Sequence, residues 1–156
     1  MITLPAPHLE HLCNLEVVVG APVEVGLTPQ GLRRMIPIEG GTVSGPHLNG
    51  HIVPGGADFQ LIVSEGTVAH LDARYVIELD DQSRVFVSNR ALRVASAEDS
   101  ARLRRGEPVA PENVYFRCQP SFEAVDEKWH WLNNCQVIGT GQRTPDRVLL
   151  SFYRVL

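Results

Sequence analysis

Residues 68–79 alternate one by one. Leu71, Ala73, Tyr75, Ile77 and Leu79 fall on one side of an extended backbone. His70, Asp72, Arg74 and Glu78 fall on the other, with Asp80 following in step. Successive strand side chains point to opposite faces, so this period marks a sheet with one buried face. A strand this long rarely stays flat, and the pattern predicts a curved, closed sheet.

The rest of the chain is cut into similar lengths by turn residues. Glycine (13) and proline (11) are slightly over-represented, and they fall between β-branched or alternating runs. Strands are expected over residues 9–19, 33–38, 57–64, 84–89, 112–123, 134–139 and 147–156, with one over 42–52 interrupted near Gly45-Pro46. Residues 22–31 read as a loop because Pro22, Gly26, Pro29 and Gly31 punctuate them. Gly40-Gly41 reads as the end of a strand and Pro54-Gly55-Gly56 as a turn. One helix is expected. Ser96 can cap it, Asp99 takes the capping-box position, Arg102, Arg104 and Arg105 suit its C-terminal end, and Gly106 with Pro108 stops it. The expected fold is all-β: a small closed antiparallel β-barrel of about eight to ten strands with one short helix. The 156 residues suffice for one domain, spanning 1–156, with no repeat or linker.

Several functions are disfavoured. Fourteen basic against eighteen acidic residues leave a net charge of −4, which argues against a nucleic-acid partner. No apolar run reaches the roughly 18 residues of a membrane helix, and the first ten residues lack a signal pattern; a cytoplasmic, membrane-free protein is expected. Cys13, Cys118 and Cys135 are odd in number and form no CxxC pair, so neither a disulfide framework nor a zinc site is expected. The spacings His8/His11 and His47/His51 fall on loop and strand, where residues four apart lie about 13 Å from each other, too far for one ion. No metal and no cofactor are expected. No Gly-x-Ser-x-Gly or phosphate-loop ending occurs.

What remains is a set of acids and arginines in apolar strands. Asp58 and Gln60 alternate with Phe59 and Leu61, Asp72 and Arg74 with Leu71, Ala73 and Tyr75. Tyr115, Arg117 and Gln119 share a face opposite Phe116 and Cys118. Spacing leaves two readings open. Either these polar faces are solvated, or some of them line a cavity in a closed barrel.

The runs Gly31-Leu32-Arg33-Arg34, Ile38-Glu39-Gly40-Gly41, Ser44-Gly45-Pro46 and Ile52-Val53-Pro54-Gly55-Gly56-Ala57-Asp58-Phe59-Gln60 resemble the domain-of-unknown-function 3237 group, also called uncharacterised protein family 0311. So do Leu71-Asp72-Ala73-Arg74-Tyr75, Tyr115-Phe116-Arg117, Pro120-Ser121-Phe122-Glu123 and Trp131-Leu132-Asn133. Phe59 stands where that group usually has tryptophan, and Gln82 and Ala91 where it usually has turn glycines. The resemblance implies a small antiparallel barrel. For some relatives it implies water addition to conjugated carbonyl compounds without a cofactor.

On that analogy the candidate function is a lyase, hydratase or isomerase acting on a small conjugated carbonyl compound inside the barrel. Asp58 is the first candidate base and Asp72 the second, with Tyr75 as a proton donor. Arg34, Gln60, Arg74, Tyr115, Arg117, Trp131 and Asn133 are candidate substrate-binding residues. Two other readings stay open: a non-catalytic binder of a small hydrophobic carboxylate or carbonyl ligand, and a purely structural role for the acids. The expected partner is a small molecule, with a homo-oligomer possible by symmetry rules alone.

Overall fold

A computed structural model describes all residues, 1–156. Nine strands form one antiparallel sheet: β1 (Leu9–Val19), β2 (Val23–Thr28), β3 (Gly31–Ser44), β4 (Gly50–Val63), β5 (Val68–Leu79), β6 (Arg84–Val94), β7 (Tyr115–Ala124), β8 (Val137–Arg143) and β9 (Arg147–Val155). Their order is β1-β9-β8-β7-β6-β5-β4-β3-β2, and β1 also pairs with β3. That pairing closes eight strands into a barrel and leaves β2 as an extra strand on β3. Closure removes the exposed edges that a flat sheet of this size would present.

The single α-helix, α1 (Ala97–Arg104), forms as its sequence dictates. The Ser96 hydroxyl accepts from the Asp99 N–H at 3.1 Å, and Gly106 takes a left-handed φ of +76° beyond the last turn. A 3-10 stretch, Glu127–Asn134, packs against β7 and buries Leu132. No helix is long and apolar enough to cross a membrane.

Four expectations need correction, each for a local reason. The strand expected over residues 42–52 is two: β3 ends at Ser44 and β4 begins at Gly50, and between them the Asn49 side chain accepts from the Gly45 N–H at 3.1 Å and donates to its carbonyl at 2.9 Å, closing a turn. Residues 23–28 are a strand rather than a loop. Their prolines and glycines sit at the strand ends or in an irregularity at Gly26, and nearly every side chain is exposed, so no apolar face advertises the strand. Gly40-Gly41 does not end a strand. It is a bulge inside β3, where the register with β4 shifts between Ile38 and Gly41. Gly41 sits at φ +146°, and a Cβ there would collide with the Glu16 carbonyl of β1. The bulge switches the inward positions from even (Arg34, Ile36, Ile38) to odd (Val43). Pro54-Gly55-Gly56 is likewise a bulge within β4, two residues longer than the matching piece of β5. A Cβ on Gly56 would collide with the Arg74 carbonyl oxygen and lie 2.7 Å from Tyr75 Cβ. Glycine there lets β4 close onto β5 just before Asp58.

The two replaced turn glycines differ in outcome. Gln82 takes a left-handed φ of +70° in the β5–β6 turn, doing with a side chain what glycine does freely. Ala91 is no turn residue; it lies mid-strand in β6 and faces inward.

The barrel interior divides along its axis. At one end Leu12, Leu15, Ile52, Ile77, Val85, Val87, Val137 and Phe152 are almost wholly buried, with Leu132 of the 3-10 stretch beside them. Phe122 and Phe152 meet edge to face at 6.2 Å between ring centres. Each such side chain contributes roughly 1.5–3 kcal/mol through burial. At the other end the inward positions turn polar.

Candidate functional site

Strand register stacks the polar end in rungs. Asp58 pairs with Ala73, and Ala73 with Asn89. Arg34 pairs with Gln60, Gln60 with Leu71, and Leu71 with Ala91. Ile62 pairs with Ala69, and Ala69 with Arg93. Because side chains alternate, these residues project to the same side of the sheet, into the barrel. Asp58, Gln60, Ala73, Asn89, Ala91 and Arg93 of these rungs line a cavity of about 50 Å³ together with Tyr75, Arg143 and apolar walls from Val17, Ile36, Leu71 and Leu150.

Asp58 is held from two sides. Its Oδ2 accepts from Gln60 Nε2 at 3.0 Å and its Oδ1 from the Asp72 backbone N–H at 3.1 Å. Burial pushes its carboxyl above the ordinary carboxylate range. The Gln60 hydrogen bond, the charge of Arg93 and the Asp72 N–H pull the other way without cancelling it.

Three guanidinium groups share this end. Arg34 is 4% exposed and Arg93 8%. Burial lowers the pKa of Arg34, Arg93 and Arg143, Arg93 to about 10, which leaves Arg93 charged near neutrality. Each feels the Asp58 charge as a partial offset. Arg34 Nε lies 3.2 Å from Glu24 Oε1 but outside hydrogen-bond geometry. Neither Arg93 nor Arg143 has a carboxylate within 4.0 Å.

Several buried polar atoms at this end have no partner: Gln60 Oε1, Tyr75 Oη, Asn89 Oδ1 and Arg143 Nη1. All four belong to cavity-lining residues. Buried polar groups are normally hydrogen-bonded, and leaving one unmade costs about 1–3 kcal/mol. Their concentration in one cavity marks a place built for a polar guest.

Of the expected site residues, the fold brings Asp58, Gln60 and Tyr75 into this cavity, with Arg34 buried on the same rung as Gln60. The others lie elsewhere. The Asp72 side chain pairs with Arg74 at 3.3 Å, with Arg74 56% exposed outside the barrel; only the Asp72 backbone reaches Asp58. Tyr115 and Arg117 stack at 4.9 Å on the outer face. Trp131 packs against the closed end, with the Arg154 guanidinium 5.0 Å from its ring centre. Asn133 bridges the Ala124 backbone, accepting from its N–H at 2.7 Å and donating to its carbonyl at 2.9 Å.

Tyr115 and Arg117 do line a larger outer groove of about 880 Å³. None of its lining side chains holds a buried polar atom without a partner, and several are paired: Glu16 with Arg147 at 2.9 Å, Asn14 with Ser151 at 2.8 Å, and Arg117 with the Phe116 carbonyl at 2.9 Å. The interior cavity, with its unpaired groups, is therefore the stronger candidate site.

Arg93, Arg143 and Asn89 were not among the expected site residues. The signal for two of them is the inward stripe Val85-x-Val87-x-Asn89-x-Ala91-x-Arg93, which becomes visible once β6 is extended past Asn89. Arg143 follows Gly139 and Gly141 on β8, a stripe too poor in side chains to show a face.

A UPF0311 protein of Rhodopseudomonas palustris is 36% identical over 152 residues, covering 97% of this chain and 99% of that protein. The crystal structure of a conserved protein of unknown function from the same species superposes with a TM-score of 0.91 at 35% identity, over 99% of this chain and 100% of that one. A UPF0311 protein of Clostridium acetobutylicum is 35% identical over 147 residues, 94% of this chain and 92% of that one. More distant is a hydroalkoxylation enzyme of Penicillium herquei, 22% identical over 149 residues, 96% of this chain and 84% of that one. The crystal structure of an enzyme from the same fungus shares the fold, with a TM-score of 0.73 at 20% identity and full coverage of both chains. The family model described as "Protein of unknown function (DUF3237)" matches residues 7–155, and the chain belongs to that family.

Proposed function

We propose that the polar end of the barrel is an active site that moves protons on a small conjugated carbonyl compound, adding an O–H group across its C=C bond through the protein's own side chains. The observation that carries this reading is Asp58: a buried carboxyl in a cavity with more guanidinium charge than it can neutralise and an unpaired tyrosine hydroxyl. The distant relative named for hydroalkoxylation supports the same class, since that word denotes addition of an alcohol O–H across a double bond.

The steps balance. Asp58 takes the proton of water or an alcohol as its oxygen bonds to the β-carbon. The π pair moves toward the carbonyl, and negative charge gathers on that oxygen. Arg93 and Arg143 offset the charge, and Tyr75 donates a hydrogen bond to it. Burial pushes the Tyr75 hydroxyl far above its ordinary pKa, so it stays protonated and able to donate. The proton on Asp58 then passes to the α-carbon. Gln60 acts as a positioning residue, since its Nε2 fixes Asp58.

The test is proton NMR in D2O on a panel of enones and α,β-unsaturated acids. The wild type is expected to consume vinyl signal and place deuterium at the α-carbon. Asp58→Asn is expected to lose at least about 100-fold in rate. The amide of that variant can still bond Gln60 and Asp72 after a flip of Gln60, so folding is retained. No turnover across the panel, or an unchanged rate in Asp58→Asn, overturns the reading. Binding without isotope exchange would favour the carrier function, which the apolar walls and arginines also suit.

A further inference from the structure

The cavity's unpaired atoms specify more than a carbonyl group. We propose that the substrate carries a carboxylate seated between Arg93 and Arg143, so that the site interconverts a short α,β-unsaturated acid and its β-hydroxy acid. This rests on the reading that Asp58 is the base.

Charge comes first. Arg34, Arg93 and Arg143 sit at one end of the barrel with Asp58 as the one acid lining the cavity. Glu24 approaches Arg34 from β2 but is 57% exposed at its own side chain. Arg93 and Arg143 therefore keep uncompensated charge, and Arg143 Nη1 keeps an unmade bond. A planar carboxylate accepts from such forks in pairs, which a neutral carbonyl cannot do.

Donor and acceptor orientation comes second. Gln60 Nε2 is committed to Asp58, so its free atom is the acceptor Oε1. On Asn89 the buried atom without a partner is again the acceptor, Oδ1. A bare anion satisfies neither. A molecule with both a carboxylate and a hydroxyl answers both kinds of group: oxygens for the arginines and an O–H for one of the two acceptors, Gln60 Oε1 or Asn89 Oδ1. A β-hydroxy acid has that pair of groups, and it is what addition of water to an α,β-unsaturated acid yields. In the reaction the water oxygen bonds to the β-carbon, Asp58 takes its proton, and the electron pair moves onto the carboxylate. Charge of two builds there before the α-carbon is protonated, which explains why more than one guanidinium is needed. Size comes third. About 50 Å³ holds roughly three to five water-sized groups at 10–15 Å³ each, enough for a carboxylate and the carbons next to it, so the tail of a four-carbon acid reaches the cavity's open mouth and longer chains are disfavoured.

Calorimetry with crotonate, 3-hydroxybutyrate, crotonamide and inorganic phosphate tests this. The two acids are expected to bind, and the amide to bind roughly 10- to 100-fold more weakly. Arg143→Met should erase the preference for acid over amide. It should also raise the ligand-free melting temperature, since it removes one of several crowded like charges. A structural arginine would instead lower it. Arg143→Lys keeps the charge without the fork and should restore only part of the preference.

Equal binding of acid and amide, an intact preference in Arg143→Met, or phosphate binding as tightly as the acids overturns the inference. The two proposals fail separately. Acids that bind through Arg143 without Asp58-dependent isotope exchange would remove the reaction and leave the carboxylate seat. Asp58-dependent turnover of neutral enones in preference to acids would do the reverse.

Discussion

Replacing Tyr75 by phenylalanine should make the protein more stable and less active at once. Tyr75 is 3% exposed, and its ring belongs to the apolar cluster of the barrel. Its hydroxyl has no hydrogen-bond partner. Phenylalanine keeps the ring and deletes only that oxygen. An unpartnered buried hydroxyl costs about 1–3 kcal/mol, part of which water in a polar cavity returns, so a gain near 1 kcal/mol is expected. For a chain of this size that is about 2–4 °C in Tm. The same hydroxyl is assigned to the developing negative oxygen, and losing one such donor slows the chemical step about 100- to 1,000-fold. Because Tyr75 stays protonated throughout the usual pH range, the rate loss should not vary with pH. Calorimetric melts and initial rates at several pH values read both effects. A fall in Tm of 1 kcal/mol equivalent would mean that the hydroxyl holds the fold together, and an unchanged rate would remove it from the site.

Four further outcomes follow from the same geometry. Since burial raises the Asp58 pKa, the native state holds a proton that the unfolded chain has lost. Between the ordinary value of 3.8 and the raised one, stability falls as pH rises, then levels off above it. Urea midpoints should show that fall in the wild type relative to Asp58→Asn, and a difference independent of pH would contradict it. Arg74→Ala, at an exposed surface pair, should change stability by less than about 0.5 kcal/mol and leave turnover intact; an inactive variant would put the outer face back into the site. Asn133→Ala should cost about 1–2 kcal/mol through its two backbone bonds while sparing turnover, as urea midpoints and rates would report. Burial pushes the Cys13 and Cys118 thiols up to about 12 and about 11, so an aromatic disulfide reagent at pH 8 should label Cys135 alone at first; fast labelling of all three would refute their burial.

The barrel was legible where the sheet keeps a strict period of two. Residues 68–79 show it cleanly, and β5 runs through that span with the expected inward face. Period failed where bulges break it. Gly40-Gly41 and Pro54-Gly55-Gly56 look like ends and turns, because the same residues that stop a strand also let one bend and continue. Edge strand β2 carries no buried face, so its pattern is silent. The candidate site was half legible for a related reason. Asp58 and Gln60 stand out as polar residues in an apolar run. Alternation already put Asp72 and Arg74 opposite the apolar face of β5, and Tyr115 and Arg117 opposite Phe116 and Cys118; they entered the candidate set because a polar face can line a cavity and because the family resemblance includes them, and the barrel turns both faces outward. Arg93 and Arg143 were hidden because each lies near the end of its strand, where a charged residue reads as a boundary.

The most direct measurement is a crystal structure of the protein with crotonate or 3-hydroxybutyrate bound. The expected density lies inside the barrel, the carboxylate between Arg93 and Arg143 and the β-carbon toward Asp58. Density confined to the outer groove beside Tyr115 and Arg117, with nothing inside the barrel, would contradict the account at its root.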